Sequence, residues 1–294
     1  MPVGTIVCGC DDKYAMPLAV MLRSLAESRR QATRQPVVII DGGMSGKSQD
    51  RLWASIRDTP LDARLVKPEL ARVEPLRRAM WFTAANYLRI LIPELVGPEV
   101  SSALYLDSDL LVLDDISPLW STDLGDAPLG AVQDANIPTV SAKGGLLNWS
   151  TLLLNPEAPY FNSGVMLFNL PRWRRDNLTR ATLEYAATHG QFLRHADQDA
   201  LNAVFCSRWI SLEPTWNIMA PWYFNGGTMP QTFALGNPTP SIPFTRPKIL
   251  HFVGPEKPWH RRAQPRQQRM FMEFRQKTAW ASTLAKLWSR RPAF

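Results

Sequence analysis

Apolar residues recur along this chain in two alternating periods. Thr5-Ile6-Val7-Cys8-Gly9-Cys10 is a short apolar run that stops at Asp11-Asp12, and from Pro17 onward Leu18, Met21, Leu22 and Leu25 fall at helical spacing. The signal repeats. Pro36 to Ile40 reads as a strand ending at Asp41-Gly42-Gly43, Arg51 to Arg57 as a helix with Leu52 and Ile56 inward, and Ala63 to Val66 as a third strand. Strands alternating with helices predict right-handed crossovers and a mostly parallel α/β sheet. The spacing then predicts a helix over Ala84 to Ile92 closed by Pro93, and a buried strand, Ala103-Leu104-Tyr105-Leu106, running into Asp107-Ser108-Asp109. In such sheets ligands collect at the carboxyl ends of strands, where Asp11 and Asp107 both fall.

Downstream, Leu129 to Gln133 and Asn162 to Asn169 read as strands. Arg172 to His189 reads as one amphipathic helix closed by Gly190, and Asp197 to Phe205 as another helix. Pro214 to Pro247 is rich in Pro, Gly, Trp and Asn and reads mainly as ordered loop, before a last strand, Lys248 to Val253. The body is expected to end near Trp259, giving a domain over 1–260 and a tail over 261–294. In that tail Phe271, Phe274, Thr278, Ala281, Leu284 and Trp288 share a helical stripe.

Charge sharpens this division. The 294 residues carry a net charge of +7, yet from Arg261 to Phe294 nine basic residues stand against one acid, Glu273, so the tail is +8 and the other 260 residues sum to −1. A broadly basic nucleic-acid surface is disfavoured. A basic appendage that would meet an anionic bilayer, or a helix packed on the body or on a dimer partner, fits better. The length supports a full core, and no apolar stretch reaches the roughly 18–20 residues of a spanning helix. With no export-signal pattern after Met1, the expected compartment is the cytoplasm, with peripheral contact to a membrane left to the tail. Three cysteines, Cys8, Cys10 and Cys206, match neither a disulfide framework nor a zinc spacing and read as reduced thiols.

Asp107-Ser108-Asp109 sends two carboxylates off one strand end. Together with an imidazole and phosphate oxygens they would suit Mn²⁺ or Mg²⁺; alone, Asp-x-Asp also serves as a turn cap. His251 ends an apolar strand and precedes Gly254, which permits close backbone approach, and Lys257, a compact charge able to face a diphosphate.

Six ordered motifs give these residues a family context: Ile6 to Tyr14, Asn86-Tyr87-Leu88-Arg89, Leu104 to Asp109, Tyr160 to Val165, Asp197-Gln198-Asp199, and His251 to Trp259. From Thr5 to about Trp259 the chain resembles the family 8 retaining glycosyltransferases, which include lipopolysaccharide galactosyl- and glucosyltransferases and glycogenin. The resemblance implies the GT-A fold, a Rossmann-like nucleotide-sugar domain, with Asp107, Asp109 and His251 as ligands to Mn²⁺ or Mg²⁺. It implies nucleotide contacts from Gly9, Asp11, Tyr14, Ser108, Gly254 and Lys257, and donor-sugar contacts from Arg89, Asn162, Ser163, Asp197 and Gln198. Lys13 departs from the Asn that many members carry beside the base. The catalytic residues implied are Gln198 and Asp197: Gln198 would stabilise an oxocarbenium-like sugar during front-face return, with Asp197 or Asp199 as fallback nucleophile. The donor implied is UDP-galactose or UDP-glucose and the acceptor a glycan, lipid-linked or protein-borne. Trp81, Phe82, Trp149, Trp216, Trp222 and Tyr223 divide between acceptor stacking and core. The alternative is a silent nucleotide- or glycan-binding domain of the same fold.

Overall fold

The structure, a computed structural model, describes residues 4–73, 76, 84–225 and 246–281. Its strands are β1 Thr5–Cys10, β2 Gln35–Asp41, β3 Leu61–Val66, β4 Ser102–Leu106, β5 Leu110–Val112, β6 Leu129–Gln133, β7 Phe161–Asn169, β8 Ile210–Ser211, β9 Ile218–Met219 and β10 Ile249–His251. The α-helices are α1 Ala15–Ser28, α2 Gly46–Ile56, α3 Ile92–Leu95, α4 Leu170–Arg175, α5 Leu178–Thr188, α6 Asp197–Val204, α7 Ala220–Phe224 and α8 Pro265–Arg275.

Seven strands form one sheet in the order β3-β2-β1-β4-β7-β6-β8, in which β7 alone runs against its neighbours. The near-continuous apolar runs of its central strands are explained by cover on both faces. On β1, Ile6, Cys8 and Cys10 join the core formed with Leu18, Leu22 and Leu25 of α1, whereas Val7 points to the opposite core with Leu88, Trp173 and Phe205. A second sheet, β5-β10-β9, stands beside the first. Residues 107–109 are the only link between β4 and β5, so the Asp-Ser-Asp triplet is the hinge of chain that passes from the large sheet to the small one.

The predicted β–α alternation is present, with local differences that have physical causes. Ala84–Leu91 is a 3₁₀ helix, and Pro93 opens the short α3 at its first turn instead of ending a helix; that position needs no backbone N–H. The helix expected over 172–189 is broken in two, because Asn177 takes a left-handed conformation (φ 52°) that Asn tolerates between α4 and α5. The loop expected over 214–247 holds a 3₁₀ turn, Pro214–Asn217, then β9 and α7; its residues 226–245 lie outside the described part.

The tail's helical stripe ends at Arg275 among the described residues, and Phe271, fully buried, packs with Val20, Leu111, Leu250 and Phe252. Farther on, the Ala279 N–H donates to Ser55 Oγ (2.9 Å) and the Arg51 guanidinium lies 4.5 Å over the Trp280 ring. Thus 261–281 lie against α1 and α2. Leu284, Lys286, Trp288, Arg290 and Arg291 fall outside the described residues, as do Trp81 and Phe82. All three cysteines are free, and no described helix is long and apolar enough to cross a membrane.

Because Phe271 is the one fully enclosed side chain that α8 contributes, Phe271→Ala is expected to lower the unfolding free energy by about 3–5 kcal/mol, measured by urea denaturation. A loss below about 1 kcal/mol would mean that α8 is not part of the core.

Candidate functional site

The site forms where backbone pairing, and not sequence proximity, brings polar residues together. In the small sheet His251 pairs with Leu110, and the Phe252 N–H donates to the Asp109 carbonyl at 3.0 Å, which sets the imidazole beside Asp109. In the large sheet Leu106 pairs with Val165, and the Asp107 N–H donates to the Gly164 carbonyl at 2.9 Å. Four elements therefore converge on one point.

His251 Nε2 lies 3.4 Å from Asp109 Oδ1 and 3.8 Å from Asp107 Oδ2, and ligand atoms of these three residues all fall within 4.8 Å of one another. Two carboxylates and an imidazole so placed are a donor set for a hard or borderline divalent ion, and the residues fit the Mn²⁺ or Mg²⁺ expected from the sequence. Asp107 is the most open of the three side chains, 20% exposed against 5% for His251, so the cluster faces outward through Asp107. Behind it, Gly164 has no room for a side chain. A Cβ there would come within 2.3 Å of His251 Cε1 and 2.9 Å of Asp107 Oδ2.

Buried cations offset part of the acidic charge. Arg89 Nη2 is 3.0 Å from Asp107 and its Nε 3.0 Å from Asp197; Nη1 donates to the Ser163 carbonyl (2.7 Å) and to Ser163 Oγ (3.0 Å), and the guanidinium lies over the Tyr105 ring. Tyr105 in turn donates its hydroxyl to Asp107 Oδ1 at 2.7 Å. Lys257, also buried, donates to Asp109 Oδ2 at 2.5 Å and to the Phe252 carbonyl at 2.7 Å. Burial acting alone would raise the Asp109 carboxyl, but Lys257 and His251 outweigh it and hold Asp109 well below the usual carboxylate range. Burial dominates at Asp197, opposed by Arg89 and reinforced by Asp107, and pushes its pKa up to about 7.

Gln198 sits on the first turn of α6, oriented at both ends of its amide: Nε2 donates to Asp134 Oδ2 (3.2 Å), and Oε1 accepts from the Ser163 N–H (3.0 Å) and from Ser163 Oγ (3.3 Å). Ala196, which precedes α6, is held at φ 49°, ψ −119°, a conformation costly for a residue with a Cβ. Asn162 donates to Asp134 (3.1 Å) and accepts from Gly164 N–H and Asn217.

Nine expected residues thus form one cluster, all buried but Asp107 and Gln198: Arg89, Asp107, Asp109, Asn162, Ser163, Asp197, Gln198, His251 and Lys257. The nucleotide-side residues border it. Ser108 Oγ donates to the Gly9 carbonyl at 2.9 Å; Asp11 Oδ1 accepts from the Lys13 and Tyr14 N–H groups, fixing the turn before α1; and the Tyr14 ring stands edge-on to Trp259. At Gly9 a Cβ would meet only Leu88 at 3.8 Å, so that position borders open space. Gly254 adopts φ +84°, the left-handed region its residue type allows.

Asp199 is different. Its carboxylate accepts from the Tyr160 hydroxyl (2.5 Å) and from the Arg194 (2.6 Å) and His195 (2.8 Å) N–H groups, and no part of it is exposed. It holds α6 in place and is not available as a nucleophile.

Two residues that lie outside the motifs, Asp134 and Asn217, join the site, and a third, Gly164, takes part in a way that its motif did not show. Asp134 carries the same signal as Asp11 and Asp107, an acid just beyond an apolar strand. Gly164 lies within a quoted motif but shows its role only through the contacts a Cβ would make. Asn217, whose Oδ1 lies 2.9 Å from His251 Nδ1, has no local signal at all. Among the aromatic candidates, Trp216 is core, whereas Trp149, Trp222 and Tyr223 are partly exposed.

Residues 5–263 match the family model described as Glycosyl transferase family 8. The chain is 32% identical over 258 residues to General stress protein A of Bacillus subtilis (strain 168), covering 87% of each. It is 24% identical to the glycosyltransferase GlyF of Streptococcus pneumoniae serotype 4, covering 87% of this chain but 57% of GlyF. Among solved structures, the galactosyltransferase LgtC in complex with donor and acceptor sugar analogues superposes with a TM-score of 0.78 at 26% identity, over 96% of this chain and 99% of that one. The mixed sheet and its flanking helices therefore have the GT-A architecture of LgtC.

Gly164→Ala is expected to force His251 and Asp107 apart and to weaken Mn²⁺ binding by about 10- to 100-fold while the chain stays folded, measured by titration calorimetry and circular dichroism. Unaltered affinity would show that these two side chains do not act as a pair.

Proposed function

The chain belongs to glycosyl transferase family 8, and on that premise we propose that it is a retaining hexosyltransferase moving galactose or glucose from a UDP-sugar to a glycan, lipid-linked or protein acceptor. The observation that carries the reading is the adjacency of the Asp107–Asp109–His251 cluster to the Arg89–Asp197–Gln198 group. One group suits a diphosphate with its cation, and the other suits a polyhydroxylated ring. The likeness to LgtC, whose structure holds donor and acceptor sugar analogues, supports the substrate class.

Cleavage of the bond between the anomeric carbon and the β-phosphate leaves negative charge on the departing diphosphate and positive character on the sugar. Asp107, Asp109 and His251 would hold Mn²⁺ or Mg²⁺, which when bound supplies charge stabilisation to the diphosphate. Lys257, already at the cluster, adds a second positive charge, and Gly254 lets the backbone approach it. Gly9, Asp11, Tyr14 and Ser108 receive the nucleoside. Arg89, Asn162, Ser163 and Asp197 orient the hexose by hydrogen bonds. On its far side no free carboxylate is needed. The Gln198 amide, fixed by Ser163 and Asp134, presents its dipole to the developing cation without a proton to lose, and the leaving phosphate accepts the acceptor's proton as that oxygen attacks from the same face.

In this reading residues 1–260 carry catalysis. The tail from 261 to 281 packs on α1 and α2, and the basic residues of 282–294 would touch an anionic membrane on its cytoplasmic side. Deleting 282–294 is expected to abolish co-sedimentation with phosphatidylserine-containing vesicles while leaving the fold intact; vesicle binding that persists in the 1–281 chain would refute this role.

The chemistry is tested by UDP release from a panel of UDP-sugars with Mn²⁺, with and without EDTA. Turnover of UDP-galactose or UDP-glucose that EDTA abolishes is expected, and Gln198→Ala should lower kcat by about 10²-fold or more with little change in UDP affinity. Tight UDP binding without turnover of any donor would favour a silent binding domain, and an unchanged rate would remove Gln198 from the reaction.

A further inference from the structure

Which nitrogen of His251 carries a proton decides whether the ring can serve as a ligand, and the surrounding hydrogen bonds answer that question by donor–acceptor logic. The relay of donors and acceptors starts at Asp134. Its carboxylate oxygens face four N–H groups: the Asn136 and Ile137 backbone at 2.8 and 3.2 Å, Asn162 Nδ2 at 3.1 Å and Gln198 Nε2 at 3.2 Å. A carboxylate so surrounded is an acceptor only, so the Asn162 amide must turn its NH₂ towards it. The other end of Asn162 faces the Gly164 N–H at 3.0 Å, a backbone group that can only donate, which independently requires the oxygen there.

With Asn162 Oδ1 assigned twice over, the Asn217 atom 2.9 Å from it must be a donor, hence Nδ2. Asn217 Oδ1 is then the atom 2.9 Å from His251 Nδ1, and an amide oxygen has no proton to give. His251 Nδ1 must therefore carry a hydrogen, which leaves Nε2, the nitrogen that faces Asp109 and Asp107, as the one able to offer a lone pair. Asn162, Asn217 and His251 are all buried, so water offers no competing partner.

We infer that Asn217 is a positioning residue for His251. It fixes the Nδ1–H tautomer and the ring plane, and it does so because Gly164 and Asp134 fix the two amides in series. The same relay ends on Gln198, so the nitrogen offered to a cation and the amide offered to the sugar are oriented by one carboxylate. This deepens the reading of His251 as a metal ligand and rests on it, but the tautomer itself is a property of the metal-free chain.

The chain has four histidines, which keeps the test tractable. Long-range ¹H–¹⁵N correlation spectra of metal-free protein at about two pH units above the ordinary histidine pKa, with His251 assigned by its absence in His251→Gln, should show a protonated Nδ1 and a bare Nε2. Finding the proton on Nε2 overturns the inference. In Asn217→Leu the ring should lose its single tautomer and Mn²⁺ affinity should fall about 10- to 100-fold. Asn217→Asp, which keeps an oxygen opposite Nδ1 but loses the donor to Asn162 Oδ1, should retain the Nδ1–H, with an Mn²⁺ affinity between those of the wild type and the Leu variant. Both quantities unchanged in Asn217→Leu would refute the positioning role, and if that variant does not fold, the wild-type and Asn217→Asp spectra decide. Wild-type protein that shows the Nδ1–H tautomer but binds no Mn²⁺ would instead sink the metal-site reading and leave the tautomer assignment standing.

Discussion

Enclosing several carboxylates in one protein interior is tolerable only when positive charge and N–H donors are supplied with them, and the centre of this fold is organised by that requirement. Asp107, Asp109, Asp134 and Asp197 lie close together, and they are compensated in three ways. Arg89 is shared between Asp107 and Asp197, Lys257 is committed to Asp109, and Asp134 is satisfied entirely by neutral N–H groups. Two cations against four acids leave the region electronegative. That imbalance, with two of the acids converging on an imidazole, would favour a further cation there.

Main-chain pairing places the groups. The β5–β10 register puts His251 beside Asp109, the β4–β7 register puts Gly164 beside Asp107, and the parallel contact of β9 with β10 sets Asn217 behind the imidazole. Gly164 is where these constraints meet, since any side chain there would occupy the space of both His251 and Asp107. The geometry is thus a property of two sheets joined at residues 107–109, and not of one loop.

The parts legible in the sequence are those whose information is local. The strand-then-acid pattern marked Asp11 and Asp107, the alternation of periods marked the sheet, and the ordered motifs marked Arg89, Gln198 and Lys257. What escaped local reading was non-local. The break at Asn177 depends on backbone handedness in a residue that also sits comfortably inside helices, and Pro93 reads equally as a helix end or a helix start. Asn217 looks like any loop residue until β9 is laid beside β10. Asp199 shares a tripeptide with two site residues, yet the turn of α6 directs it to Tyr160 and away from the cluster. The tail's apolar stripe is helical to Arg275, after which tighter turns carry Ala279 and Trp280 onto Ser55 and Arg51.

The distance along the chain between the two acids and the imidazole matters for synthesis. Asp107 and Asp109 emerge from the ribosome before His251 and can settle beside Arg89 as the large sheet assembles, but β10 closes the small sheet only after residue 251 has been translated. A nascent chain, or one cut short before β10, carries both acids without their nitrogen partner. Closure of the Asp107–Asp109–His251 cluster therefore doubles as a mark that both sheets have formed.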